Sequence, residues 1–212
     1  MDLLFSFTLT YITLLTTTTI TFIESMRTLN PTIRHIFNLE TCISIVAAYF
    51  YYTFIEKIKN NPTDLSKITD FRYLDWAITT PMMLLVLCLT LGYAIRIKVK
   101  LPILLIILLL NYIMLGLGYL GEKNTIDKNV AMVTSFVSFF SMFALIFYMY
   151  VKPKYNLSNY VLYLMYLVVW SFYGVAYVLD EETKNRMFNA LDLISKGLIG
   201  IGLWIYLTRI VV

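Results

Sequence analysis

The chain has one histidine, two cysteines, five prolines and eight glycines in 212 residues, and only 14% of its residues are charged. A single histidine excludes a histidine-rich metal site, and no Cys/His spacing of the metal-binding kind is present. Cys42 and Cys88 both lie in apolar runs, so a disulfide framework is not expected. The scarcity of charge also excludes an ordinary soluble domain. Apolar residues make up 59% of the chain and the mean hydropathy is +0.74, which is more apolar surface than a soluble fold of this length can hide. Polar linkers, repeats and low-complexity segments are missing as well, so a single domain is expected over 1–212. The net charge of +4 reflects a basic rim suited to anionic lipid headgroups rather than to nucleic acid.

What is present is a series of apolar runs. A bilayer span takes roughly 20 residues, and seven fit, over about 3–24, 37–56, 73–94, 101–121, 129–151, 156–179 and 187–210. The expected architecture is an all-α membrane protein, a seven-transmembrane helix bundle. The first run follows Asp2 instead of a basic segment, and reads as a mature helix rather than a cleaved signal. Lys57 to Phe71 contains Asn60, Asn61 and Pro62 and reads as a turn or small hairpin outside the bilayer. Thr16 to Thr19 place hydroxyls in the first span that can bond the preceding helical turn.

An odd number of spans puts the termini on opposite sides. One side collects Arg27, Arg34, Arg96, Lys98, Lys100, Lys152, Lys154 and Arg209, with Glu24 as the acid in its loops. The other mixes Lys57, Lys59, Lys67, Lys123, Lys128, Lys184 and Arg186 with acids from Asp2 to Glu182. The acid-poor side is assigned to the cytoplasm, which leaves the N-terminus outside and the C-terminus cytoplasmic.

Glu40, Arg72, Asp75, Asp192 and Lys196 then remain at or near membrane depth, where ionisable residues are costly and signal function. Asp192 and Lys196 are four residues apart and share a helical face, as do Arg72 with Asp75, and Asp75 with Thr79. One reading is a structural ion pair that joins helices. The other is chemical: burial disfavours charge, so a lysine amine in a dry pocket can condense with an aldehyde. The product is a fixed positive charge that needs a carboxylate beside it. Trp76, Phe139, Phe140, Trp170, Tyr173 and Tyr177 offer either helix packing or the walls of an apolar slot. Gly116, Gly118 and Gly121 indicate close approach of something bulky, or tight helix packing.

RYLDWAITTP from Arg72 and DLISK from Asp192 together resemble the microbial (type I) rhodopsins, and the resemblance extends over the whole chain. It implies all-trans-retinal bound to Lys196 as a Schiff base, with Asp75 as primary counterion and proton acceptor and Asp192 as second counterion. Arg72 is implied to couple Asp75 to the outer exit, Thr79 to bond Asp75, and Tyr51 to hold Asp192. Trp76 and Trp170 are implied to sandwich the polyene, with Tyr173 beside Asp192. Thr80, Met83, Met114, Gly118, Phe139 and Tyr177 match further pocket positions, Met83 and Asn111 lying where colour is tuned. Phe139 and Tyr177 stand where the family often has tryptophan, and Gly174 where it often has proline. Val86, eleven residues beyond Asp75, replaces the internal carboxylate donor of many pumps. Glu40 on the second span faces the same half-channel; desolvated, it would keep its proton as a donor must, unless it pairs with Arg34 or Arg27.

Arg34, Glu40 and the short length further resemble the viral branch of that family carried by large DNA viruses of algae, especially its second group. This implies a viral protein in a host cell membrane and a homo-oligomer, a pentamer ahead of a trimer, with Glu24, Arg27 and Arg34 near an inter-subunit pore. The expected function is a light-driven outward proton pump and not an enzyme, with protons and the lipid bilayer as its partners. The rivals are a light-gated cation channel, which Val86, the threonine run and Asn111 permit, and a photosensor. No metal ligand set is expected.

Overall fold

In a computed structural model, residues 2–60 and 66–211 are described, with side chains from 2–60 and 68–208; every structural statement below concerns these. The Asn61-Pro62 part of the expected hairpin lies outside them. The described chain is helical throughout. We label the helices α1 (Leu3–Arg27), α2 (Pro31–Asn60), α3 (Ser66–Ile95), α4 (Leu101–Glu122), α5 (Lys128–Val151), α6 (Leu157–Tyr177) and α7 (Glu181–Val211). Six of them are long and apolar enough to cross a membrane. The exception is α2, which carries Arg34, Glu40, Glu56 and two lysines along 30 residues. Helices run past the apolar windows read from sequence: α2 starts at Pro31, α3 at Ser66 and α7 at Glu181. For α2 and α7 the reason is capping, which acts outside the apolar stretch.

Asn30 Oδ1 accepts the backbone N–H groups of Thr32 and Ile33, with Pro31 at the first helical position. Asp127, Asn156 and Asp180 cap α5, α6 and α7 in the same manner. The Thr183 N–H bonded to Asp180 holds that carboxyl below its ordinary range. α3 and α4 end alike: Arg96 and Asn124 take left-handed backbone angles (φ 62° and 55°), and Ile97 and Thr125 donate back to Gly92 and Leu120. These are Schellman endings, which satisfy the last carbonyls of each helix.

Burial is inverted relative to a soluble protein. On α1 the buried residues include Ser6, Thr10, Thr17, Thr21 and Ser25, while Phe5, Ile12, Phe22 and Ile23 are exposed. A bilayer is as apolar as leucine, so small and hydroxyl residues make the helix contacts and the large side chains face lipid. Thr16, Thr17, Thr18 and Thr19 each donate to the carbonyl four residues earlier.

The helices form two compact units. The first is Met1–Asp75 with Leu179–Val212, the second Trp76–Val178. In the first, Phe7, Leu14, Ala47, Tyr51, Phe54 and Ile68 form a core between α1, α2 and the start of α3. α7 closes on α1 through two glycines. A Cβ on Gly197 would lie 2.7 Å from Thr13 Cγ2, and one on Gly200 would lie 2.7 Å from Thr17 Cγ2. This approach lets Thr17 Oγ1 donate to the Gly197 carbonyl (3.1 Å).

In the second unit, Phe143 packs against Phe139 (4.7 Å between centroids), Tyr163 and Trp170. Asn159 Nδ2 donates to the carbonyls of Leu91 and Tyr150. Phe140, expected among the slot walls, is 54% exposed and stacks on Phe136. Of the helix α4 glycines, Gly121 packs under Tyr177 and Ala131, whereas Gly116 faces open space.

α5 and α7 each contain a π-helical stretch, Phe147–Val151 and Leu193–Leu198. The second carries Lys196. Such wide turns re-aim side chains and recur at functional sites.

Gly197→Leu is expected to force α1 off α7 and lower stability by about 1–3 kcal/mol, the usual cost of overpacking. Thermal unfolding in detergent checks this; an unchanged midpoint would show that the contact carries no load.

Candidate functional site

The site in the first unit is a cluster of four buried charges. Lys196 is 1% exposed, Arg72 1%, and Asp75 and Asp192 0%. α7 supplies Asp192 and Lys196 one turn apart, and the first half of α3 supplies Arg72 and Asp75. Lys196 Nζ lies 2.5 Å from Asp75 Oδ2 and 3.4 Å from Asp192 Oδ1. Arg72 Nη1 lies 3.2 Å from Asp192 Oδ2. Two cations and two carboxylates thus neutralise one another in the buried interior, and pairing is the condition under which buried charge is tolerable. The face expected from the four-residue spacing is realised, but the lysine lies nearer to the aspartate of α3 than to that of its own helix.

Arg72 points at Asp192. Its guanidinium sits 5.1–5.8 Å from the centroids of Phe7, Tyr51, Phe54 and Phe188, within cation–π range. Tyr51 donates to Asp192 Oδ2 at 2.8 Å, the partner expected for it.

Two residues not singled out in the sequence hold this arrangement. Asn189 Oδ1 accepts from Arg72 Nη2 (2.8 Å) and Tyr51 Oη (3.2 Å), Asn189 Nδ2 donates to Ser6 Oγ (2.9 Å), and the Asn189 carbonyl accepts from Thr10 Oγ1 (3.0 Å). Asn185 Oδ1 accepts from Arg72 Nη2 at 3.2 Å. One fully buried side chain therefore ties α1, α2 and α3 to α7. The signal was legible: Asn189 and Asn185 lie one and two turns before Asp192, on its side of the helix. Lys184, also unflagged, is 1% exposed and pairs with Glu181 at 2.6 Å. Glu182 pairs with Arg186, and Asp180 is the cap of α7.

Glu40 lies on α2 and is 2% exposed. It does not pair with Arg34 or Arg27: Arg34 donates to the Thr28 carbonyl, and Arg27 lies 3.9 Å from Glu24. Among the described residues no hydrogen bond or ion pair involves the Glu40 carboxyl. It rests against Gly200, where a Cβ would lie 2.9 Å from Glu40 Oε2. Gly200 is four residues past Lys196, about 6 Å along the helix. Lys196 is thus bracketed on α7 by Asp192 one turn before and the Glu40 contact one turn after.

The second unit contains the expected pocket residues. Trp76, Thr80, Met83, Phe139, Trp170 and Tyr177 are buried, as is Gly118, and Thr79 is fully buried. Met114 and Tyr173 are half-buried. Tyr173 meets Trp76 edge-on (5.4 Å), Tyr177 Oη donates to the Gly118 carbonyl, and Asn111 Nδ2 donates to Thr80 Oγ1. Val86 is fully buried.

Asn189→Leu removes acceptors from a buried guanidinium and phenol. Stability is expected to fall by about 1.5–3 kcal/mol, the range for hydrogen bonds to charged groups, while Asn189→Asp keeps the acceptors. Thermal unfolding of the two variants checks it; equal loss in both would show that the position tolerates asparagine alone for reasons of shape.

The profile of the bacteriorhodopsin-like protein family matches residues 3–210. The crystal structure of the viral rhodopsin OLPVRII is similar at 44% identity with a TM-score of 0.92, covering 98% of this chain and 98% of that one. A blue light-absorbing proteorhodopsin from Med12 is similar at 20% identity and TM-score 0.78, covering 98% and 96%. The light-driven proton pump LR (Mac) from Leptosphaeria maculans is similar at 16% and 0.78, covering 98% and 96%. At those lower identities the likeness is one of fold alone. No curated protein matches the chain. A seven-helix chain matched over nearly its whole length, with a buried lysine set between two aspartates, belongs to the bacteriorhodopsin-like family of microbial rhodopsins.

Proposed function

We propose that this chain is a light-driven outward proton pump whose retinal is carried on Lys196. Rhodopsins of this family bind retinal through a Schiff base to lysine. The residues here fit that group: a primary amine 1% exposed, with two carboxylates within 3.4 Å to balance a fixed positive charge. Bound there, retinal supplies a light-driven change of geometry and basicity at Nζ. The buried Trp76, Trp170, Phe139 and Tyr177 are read as its apolar contacts, following the resemblance.

The chain's own residues then divide the work. Asp75 Oδ2, the nearest base at 2.5 Å, takes the proton from Nζ. Arg72 and Tyr51 keep Asp192 oriented and compensated through the transfer. Glu40, packed against Gly200 one turn past Lys196, reloads Nζ from the opposite side. The observation that carries the reading is this asymmetry along α7. Carboxylates in ion pairs stand on one side of the amine and an unpaired, buried carboxyl on the other, so a proton taken from one side and returned from the other moves in one direction. The basic counts of the two sides are close, and assigning the short, acid-poor loops on the Glu40 side to the cytoplasm makes that direction outward.

The features that permitted a cation channel lend it no support. The hydroxyls of Thr16 to Thr19 are bonded to their own helix, and Asn111 is bonded to Thr80. The protein is an integral multi-pass membrane protein. Its likeness to a viral rhodopsin supports reading it as a viral protein acting in a host cell membrane.

Cells expressing the chain with retinal should acidify an unbuffered medium under light, the change vanishing with a protonophore, and Lys196→Ala cells should be colourless and inert. A coloured protein that moves no protons would overturn the pump; photocurrents that reverse with voltage would replace it with a channel.

Glu40→Gln should slow return of the proton to Nζ by about 10²-fold, the lower end for loss of a positioned proton donor, and azide should restore part of the rate. Flash photolysis reads both, and kinetics equal to wild type would remove Glu40 from the mechanism.

A further inference from the structure

The function proposed above makes no use of a cavity of about 440 Å³ between α1, α2 and the end of α7, lined by Glu24, Arg27, Ile33, Phe37, Trp204 and Leu207 among others. Its mouth is at the surface, where the Arg27 side chain is 74% exposed. Its floor is apolar: Ile33, Phe37 and Leu207 are buried. Glu24 is the carboxylate among the lining residues, and its side chain is 16% exposed. It accepts a hydrogen bond from Trp204 Nε1 at 3.3 Å and stands 3.9 Å from Arg27 Nη1. Arg34, on the neighbouring helix, is turned to the Thr28 carbonyl, and His35 is exposed.

The position of this cavity follows from α7. Asp192, Lys196, Gly200 and Trp204 succeed one another at four-residue spacing. The last three are each met by a carboxyl: Lys196 by Asp75, Gly200 by Glu40 and Trp204 by Glu24. Trp204 is about 6 Å of helix rise beyond Gly200. On α2, Phe37 lies one turn before Glu40, is buried, and lines the cavity together with Glu24, whereas Glu40 is not among the lining residues. An apolar layer there is what a pump requires, because an open path to Glu40 would let protons leak back.

We propose that this cavity is the proton-intake chamber and that Glu24 takes up the proton from solution and passes it to Glu40. The proposal rests on the pump reading. The Glu24 carboxylate takes a proton from hydronium at the mouth and gives it to the Glu40 carboxylate left after Glu40 has reloaded Nζ. Only O–H bonds break and form, and the charge on each carboxyl returns to its starting value. Phe37 must move aside for the transfer, which times it after Glu40 has become charged and draws water toward itself.

The test uses the full chain with retinal in liposomes, with flash photolysis and a pH dye in the medium. Glu24→Gln keeps an acceptor for Trp204 but cannot carry a proton. Proton uptake from the medium and recovery of the Glu40 proton should slow about tenfold or more, azide should restore them, and the absorption maximum and the Glu40-to-Nζ step should stay as in wild type. Trp204→Phe, which removes the hydrogen bond but keeps the carboxyl, should leave uptake fast. Wild-type uptake in Glu24→Gln would overturn the proposal while leaving the pump intact. Slowing in both variants, with a matching fall in thermal stability and no azide rescue, would overturn it in favour of a structural clamp. If the wild type moves no protons, the pump reading itself fails first.

Discussion

The first unit is organised around balancing the buried charges of Lys196, Arg72, Asp75 and Asp192. Removing one partner of such a buried set leaves an uncompensated charge, at a cost of about 3–5 kcal/mol. The fold answers this requirement in layers. Asp75 and Asp192 neutralise the cations, Tyr51, Asn185 and Asn189 fill the remaining hydrogen-bonding directions, and four aromatic rings surround the guanidinium. The same cluster that is expensive to bury is also responsive. Lys196 touches both carboxylates and Arg72 touches one of them, so a change at the lysine nitrogen is felt across the set.

α7 is the axis on which these layers are arranged. Its asparagines anchor the site to α1 and α3, its π-helical stretch carries Lys196, and its glycines admit α1 and the Glu40 carboxyl. The threonines of α1 complement it. Thr10 and Thr17 bond both their own helix and the backbone of α7, which closes the helix interface without bulky side chains. Packing, electrostatics and proton path are therefore served by a single helix face.

Much of this was legible in the sequence. RYLDWAITTP and DLISK placed the charges on two faces by helical spacing alone, and Tyr51 was assigned to Asp192 by resemblance. The spacing of Asn189 from Asp192 puts it on the same side of α7, but its four partners, all on other helices, are set by the tertiary structure. Lys184 was taken for a surface cation because it follows three acids in a polar run, yet it is buried. Phe140 looked like a slot wall beside Phe139, but adjacent residues on a helix point in different directions, and it faces outward.

The sequence by itself determined the class of fold, the seven helices and the motif residues, because hydropathy, caps and four-residue spacing are local properties that act within one helix. The tertiary structure alone decided which carboxylate lies nearest Lys196, that Glu40 has no ion partner, and that Glu24 turns inward to Trp204. Those outcomes depend on which helices meet and how closely. Gly197, Gly200 and the small residues of α1 set that distance through contacts with residues more than a hundred positions away in the chain.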